Sequence, residues 1–160
     1  MKKTVKILAF LLALVSLFSL CACGSDNTAT AAEVNIHDVK EQIISETGIT
    51  GIMDIPTNAL LNFYGIQPDD VSDSECFSTE GGVFPDEIIM VTTTGAEARD
   101  RVKEKVNNRL EGFLKQAQNY SPEDYKTASE CEILICGDTV ALFLSKNHAQ
   151  MEDIFRKNCK

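Results

Sequence analysis

The segment Cys131–Leu144 constrains the fold most, because the turn inside it sets the register of the residues on both sides. Gly137-Asp138 suits a two-residue type II′ hairpin turn, with glycine at the first central position. In that register Cys136 faces Thr139, Ile135 faces Val140, Ile133 faces Leu142 and Cys131 faces Leu144. Alternate strand residues share a face. Cys131, Ile133, Ile135, Val140, Leu142 and Leu144 therefore form one wholly apolar face, which requires a covering layer. The natural cover is the longest helical pattern in the chain: Ala98, Val102, Val106, Leu110, Phe113, Leu114 and Ala117 recur at helical spacing between Ala96 and Gln118.

Shorter elements flank these two. Asn35–Thr47 places Ile36, Val39, Ile43 and Ile44 on one side and stops before Gly48, as an amphipathic helix does. A short helix is expected over Thr57–Tyr64, after Pro56. Strands are expected at Val71–Ser78 and Glu87–Thr93, joined by the turn-rich run Glu80–Asp86. A final helix, Ala149–Lys157, carries Met151, Ile154 and Phe155. The order helix, helix, strand, strand, helix, strand, strand, helix predicts an α+β domain. Its mainly antiparallel sheet of two β-hairpins packs against the long helix, with short N-terminal and C-terminal helices. Residues 35–160 suffice for one domain with its own core, without an internal repeat or a second linker.

The chain begins differently. Lys2, Lys3 and Lys6 precede an apolar stretch from Ile7 to Leu20, which is too short for the roughly 20 apolar residues of a transmembrane helix. The run Leu20-Cys21-Ala22-Cys23 resembles the lipobox of a bacterial lipoprotein signal, with Cys23 at the position of the acylated cysteine. The resemblance implies that residues 1–22 are a signal peptide cut between Ala22 and Cys23, and that Cys23 carries a diacylglyceryl anchor at the extracytoplasmic face of the cell membrane. Residues 23–34, small and polar, are expected to be a flexible tether. The eleven residues from Cys23 to Glu33 could reach about 35 Å when fully stretched. Removing residues 1–22 takes away three of the 15 basic residues and no acidic one, moving the formal charge from −9 to −12. So acidic a chain is a poor partner for nucleic acid or for an anionic lipid surface.

The mature part also resembles a family. Phe63-Tyr64-Gly65-Ile66, Pro85-Asp86-Glu87-Ile88, the charged long helix, Tyr120-Ser121-Pro122-Glu123-Asp124-Tyr125 and the Gly137-Asp138 hairpin together resemble an uncharacterised domain found in lipoproteins of Gram-positive bacteria. The resemblance runs from about Leu60 to Phe155. It implies the same location and a consistent fold, and carries no catalytic residue onto this chain.

No reactive constellation stands out in the residues themselves. Cys76, Cys131, Cys136 and Cys159 make an even number, as disulfides in an exported protein require. Cys131 and Cys136, read as five residues apart on one strand, are some 16 Å apart and cannot bridge. Cys131 is expected to be a small core residue, while Cys76 and Cys159 remain open to pairing with another cysteine. Neither His37 nor His148 lies near a cysteine pair, so a zinc site is not indicated. The acidic run Asp69–Glu75 lacks the glycine and terminal Glu of a calcium loop. His37 followed by Asp38 could form an oriented base, but Asp38 is equally explained by the helix dipole. Gly81-Gly82 alone does not make a phosphate loop. Catalytic, cofactor and metal residues are thus assigned to none. The mixed-charge stretch Arg99–Lys115 is the most plausible polar contact surface, with ordinary solvation of a helix face as its alternative. The expected function is a lipid-anchored binding or accessory interaction module with an envelope or membrane protein partner. The alternative is an envelope hydrolase or transferase with an unrecognised active site. A two-lobed solute-binding protein would need a longer chain.

Overall fold

The computed structural model describes residues 32–160. The signal segment, Cys23 and the tether as far as residue 31 lie outside the described residues. Helix α1 (Ile36–Thr47) starts at Asn35, whose side-chain oxygen accepts from the amides of His37 and Asp38, and ends at Gly48, which is left-handed with φ 66°. Strand β1 (Ile52–Ile55), a 3₁₀ turn at Thr57–Ala59 and helix α2 (Leu60–Tyr64) follow. A second 3₁₀ turn at Pro68–Asp70 leads into β2 (Val71–Thr79) and β3 (Glu87–Thr93). Helix α3 spans Ala96–Tyr120 and α4 spans Pro122–Glu130. Strands β4 (Leu134–Cys136) and β5 (Thr139–Leu144) precede α5 (His148–Asn158).

The fold is α+β, with one antiparallel sheet in the order β1-β2-β3-β5-β4. The sheet is covered on both faces, so its central strands are apolar on both sides. On one face Ile89, Val91, Val140, Leu142 and Leu144 meet Val102, Val106, Phe113 and Ala117 of α3. On the other, Ile88, Met90, Ala141 and Phe143 meet Ile36, Val39 and Ile43 of α1 and Met151, Ile154 and Phe155 of α5. Full burial of one such side chain contributes about 1.5–3 kcal/mol. The expected long helix therefore covers one side only, and the two terminal helices cover the other.

The hairpin turn falls where expected. Cys136 pairs with Thr139 and Ile135 with Val140. Gly137 has φ 54° while among the described residues no non-glycine has positive φ, Asp138 included, which matches type II′. Two expected pairings do not form: β4 starts at Leu134, so Ile133 and Cys131 are outside the ladder. The cause lies upstream. Helix α4 runs to Glu130, and the Glu132 amide then donates to Glu152 of α5 (3.1 Å), turning the backbone away from β5. Cys131 is still buried on the α3 face, whereas Ile135, at the sheet edge, is 44% exposed.

The two poles of the sheet differ. At one, the Gly137 turn lies against Ala32, and Glu33 exchanges two backbone hydrogen bonds with Lys160 (2.7 and 3.0 Å). There Cys136 of β4 is bonded to Cys159 just beyond α5, across a separation of 23 residues. At the other pole, Thr79 meets Asp86 and Glu87 pairs with Leu144.

Candidate functional site

A cleft of about 290 Å³ opens at this second pole. Its walls are the β2–β3 loop, the end of α3, the start of α4 and the residues after β5. The apolar floor is Phe84, Phe113, Ala128 and Leu144, with the rings of Phe84 and Phe113 centred 5.0 Å apart at a tilt of 55°. The rim carries Asp86, Glu123, Asp124 and Lys146. Two buried hydroxyls complete it: Thr79 Oγ1 accepts from the Asp86 amide (3.0 Å) and Ser145 Oγ from the Asn147 amide (3.1 Å).

Local sequence explains how these groups arrive. Ser121 caps α4 by accepting from the Asp124 amide, Pro122 occupies the first turn, and Glu123 and Asp124 stand at the positive end of the helix dipole. Gly81 and Gly82, with φ 88° and 77°, let the loop fold back so that Phe84 reaches Phe113. Beside the floor, Glu87 and Arg109 form a two-pronged ion pair, Nε to Oε1 at 2.7 Å and Nη2 to Oε2. Hydrogen bonding to Glu87 holds Arg109 firmly charged. Among the described residues the buried Tyr64 hydroxyl has no hydrogen-bond partner, and burial, then the negative charge of Glu87, holds its proton on.

The residues weighed from sequence fall elsewhere, and most are paired. His37 contacts Asp73 (3.0 Å) and Glu75 across to β2, not Asp38, and the charge of Asp73 raises its pKa. In the acidic run Asp69–Glu75, Asp70 binds Arg101 (2.6 Å) and Glu75 binds Lys40 (2.7 Å). Among the described residues no three His, Cys, Asp or Glu side chains are grouped to hold a metal ion. In the Arg99–Lys115 stretch the arginines are engaged within the molecule. Arg99 donates to the Gly137 carbonyl (3.2 Å), Arg101 is held by Asp70 and Arg109 by Glu87. Of the cysteines, Cys159 pairs with Cys136, while Cys76 and Cys131 are free and buried. Burial pushes their thiols up to about 12 and about 11.

The cleft itself was missed in the sequence, although Ser121-Pro122-Glu123-Asp124 is a helix-start signal and Glu80–Asp86 a marked loop. A second hollow of about 240 Å³ beside Gly65 and Val102 is lined by the Asp70–Arg101 pair, whose charges satisfy each other.

Fold and cleft together define a small α+β domain: an antiparallel sheet between helical layers, with one polar-rimmed hollow at a pole. The chain belongs to the DUF4358 family, a domain of unknown function, whose model matches residues 45–145. No curated protein and no solved structure matches it.

Proposed function

We propose that this chain is a membrane-anchored extracytoplasmic binding module, held by a lipid on Cys23 and binding through its cleft. The observation that carries the reading is the separation of the two poles. The chain enters the domain at Ala32, against the Gly137 turn, whereas the cleft lies around Leu144 at the far end of β5. Thr139 to Leu144 alone spans about 17 Å at strand rise. A tether that joins the opposite pole leaves the mouth of the cleft unobstructed by its own attachment.

Two further features support this. The lipobox-like run before Cys23 supplies an anchor, and two acyl chains, at about 0.8 kcal/mol per buried methylene, hold where one is marginal. The Cys136–Cys159 bond suits an exported protein, because intracellular thiols are kept reduced. No helix among the described residues is long and apolar enough to cross a membrane. Tethering raises the local concentration of the cleft at the membrane face, where a modest affinity suffices.

The test is cross-linking in intact cells from a photoreactive residue at Lys146, on the cleft rim, beside one at Asp138, on the entry pole. A repeatable envelope or membrane partner captured from Lys146 and not from Asp138 is expected. Capture of nothing from Lys146, together with a small molecule that raises the melting temperature with its concentration and is consumed over time, would establish an enzyme instead.

A further inference from the structure

We infer that the cleft takes an ammonium group carried on a short apolar stem; this rests on the binding reading above. The rim holds three carboxylates, Asp86, Glu123 and Asp124, against one ammonium, Lys146. Among the described residues none of the four is in an ion pair. Glu123 is exposed and Asp86 and Asp124 are half-buried, so they keep their charge open to a ligand, whereas the buried acids are matched by cations: Asp70 has Arg101, Glu87 has Arg109 and Glu152 has Arg156. The first-turn position on α4 accounts for Glu123 and Asp124 by themselves. It accounts neither for Asp86, which stands in a loop on the facing wall, nor for the aromatic floor.

The floor decides the rest of the ligand. Phe84 and Phe113 offer apolar area for a stem, and aromatic ring faces attract cations and repel anions. Thr79 and Ser145 are 8% and 3% exposed. Each oxygen accepts one amide hydrogen and keeps a second lone pair and its own hydrogen, so each hydroxyl can accept from an ammonium group while the choice of charge rests on the rim. A metal ion fits poorly, because the rim carboxylates do not converge as a metal-binding group. At about 290 Å³ the hollow is at the small end of ligand pockets.

The full chain in detergent micelles is titrated calorimetrically, at low salt and at 0.15 M salt, with phenethylammonium chloride, 2-phenylethanol, phenylacetate and calcium chloride. Phenethylammonium should bind saturably, about tenfold tighter than the alcohol, with phenylacetate weakest and calcium not competing. Asp86→Asn should weaken the amine about fivefold or more while leaving the alcohol unmoved, and Lys146→Gln should tighten the amine. Both positions are on the rim, so both variants should fold as the parent does. Equal affinity for amine and alcohol, indifference to Asp86→Asn, or displacement of the amine by calcium would overturn the inference. Failure of every probe while Lys146 still captures a partner in cells overturns the ligand class alone; failure of both removes the binding reading as well.

Discussion

Cysteine and charge predictions belong to single residues. The Cys136–Cys159 bond closes a loop of 23 residues, so Cys159→Ser should lower the unfolding free energy by about 3 kcal/mol, read as a lower urea midpoint at similar slope. Reductant should move the parent by the same amount; a variant with an unchanged midpoint would contradict the bond. Cys76 and Cys131, buried and with raised thiol pKa, should resist iodoacetamide at pH 8 in the folded chain and react only after unfolding. Two charged residues give opposite pH behaviour. Hydrogen bonding from Arg101 lowers the Asp70 pKa, so its stabilisation is present above the ordinary carboxylate range and is lost as pH falls through the lowered value. The stability gap between parent and Arg101→Met should therefore close on acidification. Asp73 raises the His37 pKa, so that contribution is whole below about 6.5 and is lost as pH rises through the raised value. Replacing His37 by Gln should matter only on the acid side. A gap that is constant with pH in either denaturation series would refute the pairing concerned.

At the scale of elements, the Gly137 turn is the joint between hairpin and chain entry. A Cβ there would come within 2.0 Å of the Ala32 carbonyl oxygen, whereas one at Gly48 would meet nothing within 4 Å. Both glycines have positive φ, so each alanine variant should cost about 1–2 kcal/mol of backbone strain. Only Gly137→Ala should also release the Glu33–Lys160 pairing, seen as faster amide exchange at those two residues. Equal exchange in the two variants would count against the packing at the entry pole. The same turn shows why much of the fold was legible: a glycine with positive φ fixes the two-residue turn, and the turn dictates the register of the strands beside it. The long helix was legible for a similar reason, since its apolar positions from Ala98 to Ala117 repeat without a break. Helix α4 was hidden because only Ala128 of its nine residues is buried, so it has almost no apolar period, and β1 because four residues between Gly51 and Pro56 are too few to show alternation. The Cys136–Cys159 pairing and the cleft depend on how α5 and α4 return to the ends of the sheet, and that placement is tertiary.

For the whole molecule, the fold puts chain entry, C-terminus and disulfide at one pole and a polar-rimmed cleft at the other. On the proposed reading the tether joins the pole opposite the cleft, and the acidic domain is repelled by an anionic membrane instead of lying on it. Shortening the tether should then weaken partner capture in cells without altering the stability of the purified chain, because the effective concentration depends on reach. A matching loss of stability would tie the effect to folding. Everything in this account of location depends on the lipid, and intact-mass spectrometry of the membrane-extracted chain tests it directly. The mature protein should begin at Cys23 and carry a diacylglyceryl group, with Cys23→Ala unacylated and released from the membrane; an unacylated parent, or a Cys23→Ala chain still firmly membrane-bound, would contradict the lipid anchor.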